Sequence, residues 1–353
     1  SAHVQEVMNE PDSVYLFSYA TVNDAVPVAR KLEELGAEYL AVACLAEARE
    51  LREAGVLTPI LLLGYTPTDC AEELLRYGLT QTVYDLESAR AFSAAAQAAG
   101  RRLRIHVKAD TGMSRLGWLC NEGHRTEAAD AIAAVCALPG LEAEGIYTHF
   151  ANADGDEAYT MGQFTRFLEL LSELEGRGIT FPIRHCAASA AVLKYPCTHL
   201  DMVRPGVALY GHYPDPSCEG LDGVGLRPVM ALKTRVASVK AVPAGTPVSY
   251  GCTHVLERDA ELAALTVGYA DGLPRLCSDR LEVLIRGQRA PIVGRVCMDM
   301  CMADATGLGA APGDEVELFG EHLPVEGAAA LAGTIQYELL CAVSPRVPRE
   351  YLN

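Results

Sequence analysis

From residue 13 onward, short apolar and β-rich runs alternate with longer stretches whose apolar positions recur at helical spacing. The short runs fall at 14–18, 39–44, 59–64, 81–84, 103–107, 145–150, 183–187 and 200–203. Between most of them lie amphipathic patterns, first Val26, Ala29, Leu32 and Leu35, then 46–54, 71–77, 88–99, 126–138 and 161–177. Gly36, Gly55, Gly78, Gly100 and Gly178 each stand where a helix stops. Near-continuous apolar strands alternating with helices predict parallel βα units. Eight such runs predict a closed (β/α)8 barrel of the TIM type, with its active site at the C-terminal strand ends. Seven or nine strands also fit the spacing.

Near residue 224 the rhythm changes. Short strands follow at 230–239, 246–250, 261–267, 280–285, 290–295 and 315–319, separated by Gly and Pro turns, with one further helix near 325–332. The pattern therefore predicts an α/β barrel over residues 1–223 and a mostly β C-terminal domain over 224–353. A net charge of −17 argues against nucleic acid or an anionic membrane as a partner. Twelve cysteines sit in apolar contexts without a CxxC pair, as buried free thiols do in a reducing cytoplasm. Neither a metal site nor a disulfide frame is expected. No apolar run approaches the length of a membrane span, and no signal peptide is evident. The sequence begins at Ser1 without Met, as a processed or trimmed chain would.

If the barrel holds, polar residues at successive strand ends should share one rim. These are His106, Lys108 and Arg115 at the fifth strand and its loop, Tyr147, Thr148 and His149 at the sixth, and His185 and Ser189 at the seventh. At the eighth, Arg204 is followed by Pro205-Gly206. An apolar strand ending in Arg-Pro-Gly sets a guanidinium beside a bend whose N–H groups can face an anion such as a phosphate. Each residue alone is more often structural than functional. Their convergence on one rim points to a shared anionic site. Lysine is scarce, at positions 31, 108, 194, 233 and 240 only.

Seven motifs then resemble one family, in order along the chain. They are TGMSRLG at 111–117, YTHFANAD at 147–154, DMVRPGVALYG at 201–211, VSYG at 248–251, GYADGLPR at 268–275, GRVCMDM at 294–300 and RVPREY at 346–351. Together they are similar to the alanine racemase family. The resemblance implies a pyridoxal 5′-phosphate-binding barrel, a β domain and a homodimer. It implies that Ser189, Gly206 and Val207 hold the cofactor phosphate and that Arg204 faces the pyridine nitrogen. A cation there keeps that nitrogen unprotonated, which favours proton exchange over other chemistry at Cα. Arg115 is implied to contact the cofactor's phenolic oxygen and the substrate carboxylate, and Lys108 is a lysine that can be carbamylated to pair with it. Tyr250 is implied as the catalytic tyrosine delivered to the partner subunit's site, with His149 as its hydrogen-bond partner. Met298, beside Cys297, is implied to meet the substrate carboxylate across the dimer; for Cys297 core packing is an alternative. Tyr269, Arg275, Arg295 and Asp154 resemble a narrow access gate.

Three departures stand against this pattern. Phe17 falls where the family has its Schiff-base lysine, and Thr21 where it has a phosphate-binding tyrosine. The family's opening strand is not recognisable in residues 1–13. Ala188 and Pro345 stand where Asn and Tyr are frequent. An altered or missing N-terminal stretch would explain the first two, as would a degenerate racemase. The leading expectation is racemisation of alanine by two-base proton exchange, supplying D-amino acid for cell-wall peptide. Serine is open as a substrate, as in the vancomycin-resistance racemases, where the chain would be the cytoplasmic part of a longer membrane protein. The alternative is a protein that binds cofactor or amino acid without turnover. A related barrel decarboxylase for basic amino acids fits the motifs less well.

Overall fold

The computed structural model describes residues 14–18, 25–223 and 225–352, with 14–18 as backbone alone. The Phe17 side chain, Thr21 and residues 1–13 therefore lie outside the described residues. The chain divides into two compact units at Arg227 and Pro228.

The first unit alternates strand and helix in the predicted order: β1 (Val14–Ser18), α1 (Ala25–Glu34), β2 (Tyr39–Val42), α2 (Leu45–Glu53), β3 (Ile60–Leu62), α3 (Ala71–Arg76), β4 (Thr80–Val83), α4 (Leu86–Ala98) and β5 (Leu103–Asp110). There follow the two-residue β6 (Trp118–Leu119), α5 (Arg125–Cys136), β7 (Leu141–Tyr147), α6 (Glu157–Gly176), β8 (Ile183–Ala188), α7 (Ser189–Lys194) and β9 (Met202–Arg204). The parallel pairings run β1-β2-β3-β4-β5-β7-β8-β9, and β9 returns to β1, closing eight strands into a barrel with β6 as a short outrigger on β5. The five helix-stopping glycines all hold positive φ, between 60° and 85°. Asp85 and Asp156 cap α4 and α6 through their side chains.

Period-two alternation sends one face of each strand inward. Tyr39, Ala41, Leu61 and Met202 form a small buried cluster from β2, β3 and β9. The same alternation places His106 and Lys108 of β5 on one face, and every residue of β4, Thr-Gln-Thr-Val, is buried. The lumen is thus unusually polar for a barrel normally filled by branched apolar side chains.

The second unit is a six-stranded antiparallel sheet: β10 (Leu232–Val242), β13 (Ala260–Leu265), β14 (Glu282–Ile285), β15 (Gln288–Pro291), β16 (Cys301–Asp304) and β17 (Glu315–Phe319), with a two-stranded ribbon of β11 (Pro247–Val248) and β12 (His254–Val255). Its core buries Val236, Leu265, Val283, Ile285, Val316 and Leu318 against α8 (Val325–Ala332) and α9 (Gln336–Ala342).

Two expectations are corrected. The pattern predicted one helix here, whereas α9 is a second; seven residues are too few to show a helical period. The cysteines were expected to be buried, but only five of the twelve are; Cys44, Cys197, Cys252 and Cys341 are exposed. Short apolar flanks mark the edge of an element as readily as its core.

Candidate active site

Asp110 closes β5 and shapes the loop that follows. Its Oδ1 accepts the backbone N–H groups of Gly112, Met113 and Ser114 at 2.9, 2.9 and 3.0 Å. Three donors on one carboxylate oxygen fold residues 111–117 back over the strand end. Gly117 (φ 123°) is needed there, since a Cβ would sit 2.7 Å from the Asp110 nitrogen. Arg115 stands exposed on this loop.

Arg204 ends β9 and is 3% exposed. Its Nη1 donates to His185 Nδ1 at 2.5 Å. Its Nη2 donates to the carbonyls of Thr148 (2.9 Å) and Cys186 (3.1 Å) and to His149 Nδ1 (3.1 Å). Every one of these acceptors is neutral. Tyr147 lies flat on His185, with ring centroids 4.6 Å apart and an interplanar angle of 7°. Its ring is also approached by Lys108 Nζ, 4.1 Å from the centroid, and by Arg204 Cζ at 5.1 Å. A π face thus stands where a carboxylate would ordinarily balance two cations.

The electrostatic result is a dry pocket with excess positive charge. Burial, then the guanidinium groups of Arg204 and Arg115, hold the Lys108 amine well below its ordinary range. The same causes, burial first and Arg204 next, hold His149 and His185 well below the usual imidazole value. Both imidazoles therefore rest neutral at pH 7 beside two guanidinium groups, and the pocket attracts an anion.

A cradle lies alongside. Ser189 starts α7, and its Oγ accepts the N–H of Gly206 at 2.8 Å and of Ala208 at 3.3 Å. With both lone pairs engaged, its O–H points elsewhere as a donor. A Cβ on Gly206 would meet only Ser189 Oγ, at 3.9 Å, so the space above this bend is open. Val207 is buried beneath it. The barrel thus gathers Lys108, His149, Ser189, Arg204, Gly206 and Val207, while Asp154 lies exposed on the loop after β7 with its carbonyl on Lys194 Nζ.

The second unit gathers a separate group. Tyr250 is 73% exposed, next to Ser249, whose φ is 63°. Ser249 Oγ donates to the Arg295 carbonyl at 2.7 Å and lies 3.4 Å from Cys297 Sγ. The carbonyls of Cys297 and Met298 accept the N–H groups of Tyr269 and Ala270, each at 3.0 Å. Met298 and Tyr269 are themselves exposed, as is Arg275 on its own turn. Among the described residues no cluster of His, Cys, Asp or Glu could hold a metal ion.

Comparison with known proteins decides the lineage. Residues 19–214 match the family model "Alanine racemase, N-terminal domain", and residues 229–351 match "Alanine racemase, C-terminal domain". The alanine racemase of Desulforamulus reducens is 50% identical over 332 residues, covering 93% of this chain and 88% of that protein. The chain belongs to the alanine racemase family. The family's enzyme from Desulfovibrio desulfuricans is 48% identical over the same shares. Among solved structures, the alanine racemase from Streptomyces lavendulae superposes with a TM-score of 0.93 at 37% identity, covering 100% of this chain and 94% of that one. The Bacillus anthracis alanine racemase, solved with bound L-Ala-P, gives 0.92 at 34% identity, covering 100% and 92%.

The family depends on pyridoxal phosphate, and the barrel's residues fit its ring and phosphate: a guanidinium with neutral acceptors only, and open space above the Gly206 bend beside a Ser189 O–H free to donate. Sequence reading placed Tyr147 and His185 on the rim but gave neither a role. It passed over Tyr39 and Glu144. The available signal was alternation: His106 and Lys108 on β5, and Gly145 and Tyr147 on β7, are two residues apart and share a face.

Proposed function

We propose that this chain is a pyridoxal phosphate-dependent isomerase that interconverts L- and D-alanine. The observation that carries the reading is identity of 50% across 93% of the chain to an alanine racemase, joined to a buried Arg204 held by neutral acceptors alone. Bound, pyridoxal phosphate supplies the electron-withdrawing ring that acidifies the substrate's Cα–H. Ser189, Gly206 and Val207 would hold its phosphate. Arg204, fixed by four neutral acceptors, would face the ring nitrogen and keep it from being protonated. Arg115, on its clamped loop, would bind the substrate carboxylate, with Lys108 either neutral or carbamylated beside it.

Within a homodimer, Tyr250 of one subunit would carry the proton at its phenolic oxygen on one face of Cα in the other subunit's site. His149, neutral with Nδ1 committed to Arg204, would offer Nε2–H to that oxygen. The Met298 backbone, with Cys297 beside it, would meet the carboxylate. Tyr269, Arg275, Arg295 and Asp154 would narrow access to small amino acids. The division of labour would set residues 1–223 to cofactor binding and 224–353 to delivery of Tyr250. We place the protein in the cytoplasm, supplying D-alanine for cell-wall peptide, with serine as a second substrate to be compared. Among the described residues no helix is long and apolar enough to cross a membrane.

The test is racemisation of L-alanine by purified protein supplied with pyridoxal phosphate, followed by borohydride reduction and peptide mapping. Turnover with a labelled lysyl peptide supports the reading and locates the amine that Phe17 does not supply. No turnover and no labelled peptide would refute it in favour of binding alone.

A further inference from the structure

The Arg204 guanidinium is one end of a chain of polar groups that crosses the barrel. His185 Nδ1 receives the proton of Nη1 at 2.5 Å, and His185 Nε2 lies 2.8 Å from His106 Nδ1. His106 Nε2 then stands 3.5 Å from Glu144 Oε2, near enough to feel the carboxylate's charge although the two make no hydrogen bond. Glu144 Oε2 also accepts from Tyr39 Oη at 2.8 Å, and Tyr39 Oη lies 2.5 Å from Thr80 Oγ1; Arg104 Nη1 is 3.6 Å from Glu144 Oε1. Both imidazoles are fully buried.

Two backbone features build this chain. Along the pairing of β5 with β7, Ile105 faces Ala143 while the next residue, His106, faces Gly145, so Glu144 is the extra residue of a β-bulge. A bulge re-aims a side chain that regular alternation would send elsewhere. Gly145 clears the space, because a Cβ there would lie 2.6 Å from the His106 ring.

The proton positions follow from the ends. A guanidinium can only donate, so His185 Nδ1 is bare and its proton sits on Nε2. That N–H must donate to His106, whose Nδ1 is then bare and whose Nε2 carries the proton toward Glu144. The negative charge of Glu144, 3.5 Å away, favours the proton on that nitrogen, so both ends bias the chain in one direction. We infer that Glu144 is a positioning residue for Arg204, acting through His106 and His185 to fix the tautomers that hold the guanidinium in place. Burial, helped by the Arg204 charge, holds both rings below the ordinary imidazole value, with Glu144 opposing it at His106. Replacing the carboxylate end removes one of the two reasons for that direction and leaves the guanidinium to oppose the switch alone. In Glu144→Gln, Arg104 favours the amide oxygen and turns the NH2 toward His106. His106 then becomes an Nδ1–H tautomer, His185 follows, and two N–H groups confront each other at Arg204. The consequence for catalysis rests on the proposed placement of Arg204 against the cofactor's ring nitrogen.

The experiment is two-bond 1H–15N correlation on the purified protein with 15N-histidine, assigned by single histidine substitutions. Neutral Nε2–H tautomers at His106 and His185 are expected, retained in Glu144→Asp and switched or lost in Glu144→Gln. An Nδ1–H or imidazolium form of either ring in the unsubstituted protein overturns the inference, whether or not the variants fold. So does a Glu144→Gln spectrum in which both rings are unchanged. In protein loaded with 15N-pyridoxal phosphate, the ring-nitrogen shift should move in Arg204→Gln and, less, in Glu144→Gln. A shift that Arg204→Gln leaves unmoved counts against the placement of Arg204 by the cofactor, while the histidine spectra still judge the chain.

Discussion

Stability of the barrel should fall as pH drops from 7 to 5.5, and the buried histidines set the size of the fall. His106 and His185 are fully buried, and both are held below the ordinary imidazole value, first by burial. The unfolded chain binds protons on these rings near pH 6.5, whereas the folded chain refuses them. A group with a depressed folded value contributes stability that is present above its unfolded value and lost as pH falls below it. For a ring that stays neutral throughout, as His185 should, the loss between pH 7 and 5.5 is about 1.3 kcal/mol, and His106 adds to it in the same direction. His149 acts in the same direction. Lys108, whose amine is depressed by burial and by Arg204, extends the upward slope above pH 7 toward its ordinary value of 10.5. The lowered carboxyl of Glu144 titrates in a separate window, below 4.5. The assay is urea unfolding of the cofactor-free protein at stepped pH, read from Trp118, the chain's single tryptophan, which lies in the barrel unit. The slope against urea should stay constant while the midpoint falls. A midpoint that is flat or rises as pH drops from 7 to 5.5 would refute the neutral, buried pair.

Three substitutions test the site at other points. Gly145→Ala drives a methyl group into the pinned His106 ring and should cost about 1–3 kcal/mol in urea unfolding, as overpacked sites do; no loss would mean the ring is not fixed. Ser189→Ala removes the O–H proposed to donate to the phosphate and loosens the Gly206 bend that its Oγ holds, so the affinity for pyridoxal phosphate, measured by fluorescence titration, should weaken roughly tenfold. Tyr250→Phe removes the proposed proton carrier from an exposed position, so the melting temperature should hold while racemisation falls by roughly 10²–10⁴-fold.

Much of the barrel was legible because its physics is local. The Tyr-Leu-Ala-Val and Ile-Leu-Leu strands read as buried runs, and a positive-φ glycine ends each of five intervening helices. The misses have local causes too. β7 begins at Leu141, but Glu142 and Glu144 interrupt its apolar run, and the bulge at Glu144 breaks the alternation that would have announced it. β16, Cys-Met-Ala-Asp, went unrecognised because four residues carry too little period. The polar residues that the barrel gathers at its strand ends were visible as candidates because barrel chemistry collects there. The chain from Arg204 to Glu144 was not, since its central link joins residues 79 positions apart on different strands.

The polar lumen argues for function rather than stability. Apolar side chains of similar volume would fill a barrel at least as stably, since buried charges and imidazoles gain little over well-packed hydrophobic groups. Yet β4 turns Thr80 and Thr82 to partners on Tyr39 and Tyr147, β7 bulges to aim Glu144, and Gly145 gives up its side chain to admit His106. Each of these devices is costly or neutral alone. They become intelligible together as the scaffold of one guanidinium, which needs acceptors on every side but no carboxylate near enough to neutralise it. A carboxylate touching Arg204 would cancel the charge that Arg204 is proposed to offer a ring nitrogen. Setting Glu144 two neutral imidazoles away keeps the orientation and leaves the charge, and this separation is the reason for a chain where a single ion pair would have held the arginine more simply.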